Sequence, residues 1–77
     1  MDLREETEKM LKQIEPLIDK IEVNDKKGEE MLSNMKAYIE DSKHFLKNGD
    51  LIRSFEAAIW SFAILEICRE LEIFEQK

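Results

Sequence analysis

The chain predicts an all-α protein, an up-and-down three-helix bundle, and three observations predict it. Apolar residues recur at steps of three and four through most of the sequence, the period of a helix with one buried face. Two short polar segments, EVNDKKG at 22–28 and NGD at 48–50, interrupt that period with turn and cap residues. No stretch alternates apolar and polar residues as a half-buried strand would. Short connections make neighbouring helices antiparallel. The helices are expected over about Asp2–Glu22, Asp25–Lys47 and Leu51–Phe74, with no strand, in one domain spanning 1–77.

In the first helix, Leu3, Thr7, Met10, Ile14, Leu17 and Ile21 follow a four-three repeat, widened by Leu11 and Ile18. Glu5, Glu6 and Glu8 stand in the early turns, where the helix dipole favours anions. Pro16 interrupts the pattern. Inside a helix it removes a hydrogen bond and clashes with the preceding turn, at about 3 kcal/mol. A kink or break is therefore expected between Gln13 and Leu17.

Asn24 or Asp25 caps the second helix, although Gly28 obscures where it begins. Its seam is Met31, Met35, Tyr38, Ser42 and Phe45, broadened by Leu32, Ile39 and Leu46. Gly49 can adopt the left-handed conformation that closes this helix, because it has no Cβ. Asp50 can then cap the third by accepting a backbone N–H.

The third helix is the organising element. Ala57 to Leu65 is the longest uncharged run, and the helix holds the only Trp and the only Cys. Its apolar residues form two seams. Leu51, Phe55, Ala58, Phe62 and Leu65, flanked by Ile52, Ile59 and Ala63, make the side expected to face the other helices. Ala57, Trp60, Ile64, Ile67, Leu71 and Phe74 lie nearly opposite. Ser54, Ser61 and Glu72 fall in one gap between the seams, and Glu56, Glu66 and Glu70 in the other. A helix apolar nearly all round needs neighbours on more than one side. The second seam is thus the candidate interface, with Trp60 as its anchor, for a homodimer or an unidentified protein partner. The competing reading places part of this seam under the first helix.

Seventy-seven residues bury only about 60% of their unfolded surface, so a lone core is marginal. The formal net charge of −6 repels phosphate, and no nucleic acid is expected as a partner. Lys36, Lys43 and Lys47 make a thin basic row on the second helix, which is the basis of the nucleic-acid alternative. A single Cys excludes an internal disulfide and fits a reducing, cytoplasmic setting. The acidic start, MDLREETEKM, lacks the apolar core of a signal peptide. Ala57 to Leu65 is far shorter than the roughly 20 residues of a membrane span, so no membrane partner is expected.

Catalytic and metal-binding residues are not expected, nor is a cofactor. His44 and Glu40 share a helix face, but Asp41 points about 100° away and no third ligand accompanies them. Cys68 lacks a partner thiol and reads as a small buried or half-buried filler. Glu56 reads as one half of an ion pair with Arg53 or with the second helix. There is no phosphate loop, nucleophile elbow or metalloprotease spacing. The expected function is a non-enzymatic interaction or self-association module. A small-ligand pocket between the helices is the enzymatic alternative.

One family resemblance carries further. Tyr38, the D-x-x-x-F-L of Asp41 to Leu46, Gly49-Asp50-Leu51, Phe55-Glu56-Ala57, Trp60, Ala63, Leu65-Glu66 and Leu71-x-x-Phe74 resemble an archaeal domain-of-unknown-function family, number 357. The resemblance implies a compact up-and-down three-helix bundle with left-handed twist, and no activity. It also implies an aromatic where His44 stands. The G-D-x-x-x-x-x-x-A pattern is similar to a tetratricopeptide helix pair, but that fold needs stacked copies of about 34 residues, and no second copy is present.

Overall fold

The computed structural model describes residues 2–76. Three helices follow one another: α1, Leu3–Ile18; α2, Lys26–Lys47; and α3, Leu51–Glu70. Two-residue strands, β1 (Ile21–Glu22) and β2 (Glu75–Gln76), pair antiparallel with Ile21 opposite Gln76 and Glu22 opposite Glu75. The bundle measures 37 × 18 × 18 Å, so the helices lie along its long axis. The α2–α3 pair shares the largest interface, and α1 leans more on α3 than on α2.

Each helix begins on an aspartate. Asp2 accepts from the Arg4 and Glu5 amides, Asp25 from the Gly28 amide at 2.8 Å and Asp50 from the Arg53 amide at 3.2 Å. These bonds occupy amides that have no partner inside the helix. The α2–α3 turn forms as the sequence predicts. Gly49 sits at φ +80°, its amide donates to Leu46 O, and the Asp50 amide donates to Phe45 O. That pair of bonds ties off the last carbonyls of α2.

The outer two helix ends differ from expectation. α1 stops at Ile18 and not at Glu22, and it runs through Pro16 without a break at Glu15. Pro16 is exposed, so water can reach the Lys12 carbonyl that it cannot bond. Two residues later the chain turns, and Ile21 enters the core from β1.

α3 stops at Glu70 and not at Phe74. Glu72 takes φ 61°, its amide donates to Arg69 O, and the Ile73 amide donates to Cys68 O at 2.8 Å. This is the same closure that Gly49 gives α2, made with a residue that bears a Cβ and is strained there. The reversal swings Phe74 into the core, where it is 3% exposed, and carries Glu75–Gln76 onto β1. The expectation of no strand is corrected by this small clasp.

Leu11, Ile14, Met35, Ile39, Leu65 and Cys68 form the core together with Ile21 and Phe74 from the clasp. Gly28 is buried beside the clasp. A Cβ there would stand 3.0 Å from Val23 Cβ and 3.2 Å from Ile73 O, which is why the start of α2 carries glycine.

Candidate interaction surface

The site is set by which face of α3 the bundle covers. Ser54, Ala57, Ala58, Ser61, Leu65 and Cys68 are buried. At about 100° per residue they occupy one arc of roughly 100°. Two serines expected in a gap between seams thus stand on the midline of the buried face. They can do so because their hydroxyls are satisfied. Ser42 Oγ donates to Ser54 O at 2.8 Å, Ser54 Oγ donates to Ser42 O at 2.7 Å, and Ser61 Oγ donates to Ala58 O at 2.7 Å. Small side chains along this arc also let α2 and α3 approach closely.

The consequence is felt on the opposite face. Among the described residues, the exposed large apolar side chains are Ile52, Ile59, Trp60, Ile67 and Leu71, all on α3 or its cap. The seam expected to face inward is divided: Ala58 and Leu65 are buried, Leu51, Phe55 and Phe62 are half-buried, and Ile52 and Ile59 face out. The candidate interface seam is divided as well. Ala57 and Phe74 belong to the buried interior, and Ile64 is half-buried against the core. Trp60, Ile67 and Leu71 are 56%, 55% and 65% exposed.

Trp60 does not stand alone. Its ring stacks on Tyr38 of α2, with centroids 6.3 Å apart and planes 22° from parallel. Two hollows flank this stack. One is lined by Asn34, Ala37, Tyr38, Asp41, Trp60 and Ile64. The other reaches Phe45, Arg53 and Glu56, and shares Tyr38, Asp41 and Trp60 with the first. They form one trough along the α2–α3 pair.

Charged neighbours of the trough are unequally committed. Arg53 Nε lies 3.6 Å from Asp50 Oδ2, and its guanidinium carbon lies 5.9 Å from the centre of the Phe45 ring. Glu56, expected to pair with Arg53 or with α2, faces solvent instead, and among the described residues neither it nor Asp41 forms an ion pair.

The other sequence-predicted positions lie elsewhere. Lys43 of the basic row bonds Glu15 of α1 at 2.8 Å and lies 3.6 Å from Glu40. The Glu15 bond chiefly holds the Lys43 ammonium above its ordinary pKa, against the opposing effect of burial. Glu40 therefore leans to Lys43. His44 instead shares a 3.2 Å hydrogen bond with the Asn48 amide group and packs edge-on against Phe45. Cys68 is fully buried, and burial pushes its thiol pKa up while Lys27 pulls it back. Among the described residues no three His, Cys, Asp or Glu side chains gather as a metal site would require. No helix among them is long and apolar enough to cross a membrane.

A family model described as a protein of unknown function, DUF357, matches residues 4–74. The chain belongs to the DUF357 family. Its structure is similar to the crystal structure of AF1782, a DUF357 protein from Archaeoglobus fulgidus. The two are 41% identical, the likeness covers 97% of this chain and 93% of the other, and the TM-score is 0.89. The family and the bundle expected from the sequence are thereby both shown. No curated protein matches the chain.

Proposed function

We propose that this DUF357 protein is a non-enzymatic interaction module, and that the outward face of α3 binds another polypeptide, either a different protein or a second copy. One observation carries the reading. Every large apolar side chain that the described residues expose lies on α3 or its cap. Apolar residues scattered singly over a surface need no explanation, whereas several along one helix mark a contact surface. Trp60 is suited to anchor it, because a large aromatic side chain near the centre of a patch contributes disproportionately to binding.

Three of the residues that could suggest chemistry are engaged within the bundle. Lys43 and Glu40 pair with each other, and Cys68 is sealed in the core. The pairing of Lys43 with Glu15 also weakens the nucleic-acid alternative, since it neutralises the middle of the basic row.

The test is co-purification from the cells that make the protein, comparing the tagged wild type with Ile67→Glu. Polypeptides recovered with the wild type and lost with a folded Ile67→Glu variant support the reading. The same set recovered with both would assign binding to another surface.

A further inference from the structure

We propose that the α2–α3 trough, on both sides of the Tyr38–Trp60 stack, receives an amphipathic helix of a partner protein that carries Lys or Arg beside its apolar side chains. This rests on the reading of α3 as an interaction surface and adds where the partner lies and what its chemistry is.

Length and backbone chemistry specify a helix. The trough runs from Asn34 to Phe45 on α2 and from Arg53 to Ile64 on α3. Either span is about 17 Å at 1.5 Å per residue, roughly three turns of a docked helix. Its walls are helical, so their backbone N–H and C=O groups are used within α2 and α3. An extended segment would find no ladder to join, whereas a helix satisfies its own backbone before docking.

Charge specifies the basic flank. Asp41 lines both hollows and Glu56 lines one, and both are exposed without an ion pair among the described residues. The one cation of the trough, Arg53, is engaged by Asp50 and Phe45. Trp60, more than half exposed, offers a ring face that attracts a cation. An incoming Lys or Arg thus meets two carboxylates and an aromatic face. A second copy fits less well. Its α3 would bring its own Glu56, Glu66 and Glu70 towards Asp41 and Glu56, and like charges across an interface oppose association.

Trp60 is the only tryptophan, so its fluorescence reports occupancy of the trough directly. The experiment titrates the full chain with two designed 18-residue helical peptides that share one leucine face and carry either lysine or glutamate on the other. The leucine–lysine peptide is expected to shift the Trp60 emission to the blue and saturate. The leucine–glutamate peptide is expected to bind at least about tenfold more weakly. The double variant D41N/E56Q should weaken the lysine peptide by roughly tenfold, while E5Q/E8Q, which removes equal charge from α1, should change it less than about twofold. Equal loss in both double variants would mean general attraction to an acidic protein and overturn the site. Equal binding of both peptides would remove the basic partner and leave the interaction module standing. No binding of either peptide would remove the trough as a helix site, and co-purification would still judge the module. A blue shift on concentrating the protein alone, strengthened in D41N/E56Q, would seat a second copy there instead.

Discussion

Ser42 and Ser54 exchange hydrogen bonds across the α2–α3 interface, each hydroxyl donating to the other's backbone carbonyl, at 2.8 and 2.7 Å. Both residues are fully buried. The pair joins the two helices at a point where neither side chain is large enough to hold them by packing. Removing one hydroxyl should cost about 1–2 kcal/mol, since each bond is worth about 1 kcal/mol and a small void is left. S42A/S54A should cost less than the sum of the two single variants, because the two hydroxyls also lie 3.3 Å apart and each single variant already removes that contact. Urea unfolding of the four proteins measures both quantities.

The clasp beyond α3 contributes to the core through Phe74. Phe74→Ala should destabilise by about 3–5 kcal/mol, a large share of what a domain of this size possesses. Glu72→Gly should act in the other direction, because glycine relieves a left-handed conformation that costs other residues about 1–2 kcal/mol. Thermal melts followed by circular dichroism would show the two variants on opposite sides of wild type.

Gly28 and Gly49 are constrained for different reasons. Gly28→Ala should cost about 1–3 kcal/mol by forcing Val23 and the Ile73 carbonyl apart. Gly49→Ala meets no atom within 4 Å but must hold φ +80°, so its cost of about 1–2 kcal/mol is backbone strain alone. Val23→Gly, which removes both the Cβ at 3.0 Å and the Cγ1 at 3.2 Å from that position, should therefore reduce the penalty of Gly28→Ala and leave that of Gly49→Ala unchanged.

Most of the architecture is legible in the sequence because helix period, aspartate caps and the Asn-Gly-Asp turn are local signals. The errors fall where a distant contact decides. Glu72 carries no mark of a left-handed residue, and only the docking of Phe74 and the pairing of Glu75–Gln76 with Ile21–Glu22 hold it there. Ser54 and Ser61 were expected outside the seams because serine is polar, yet their hydroxyls find partners within the bundle and their size favours the midline. That one misplacement rotates α3 and accounts for both divided seams. Trp60, Ile67 and Leu71 are exposed, but the stacking partner Tyr38 and the trough could not be seen before α2 and α3 were set side by side.

Cys68 offers a probe of opening. Its thiol is fully buried and its pKa is raised from the ordinary 9.0, first by burial. The folded state therefore holds the proton more tightly than the unfolded chain. This contribution to stability is complete below about pH 9 and is lost as pH rises through the folded value. At neutral pH, thiol labelling should be slow and should follow the population of opened molecules, accelerating in Phe74→Ala. Rapid labelling of the native wild type would show that Cys68 is accessible.

The proposed contact surface of this protein, the outward face of α3, can be tested in place. The most direct measurement is photo-crosslinking in the cells that make it, with a photoreactive phenylalanine analogue placed at Ile67, and in a separate protein at Glu8 on the exposed face of α1. A discrete covalent adduct to another polypeptide is expected from position 67 and none from position 8. No adduct from position 67, or the same adduct from both positions, would contradict the proposal.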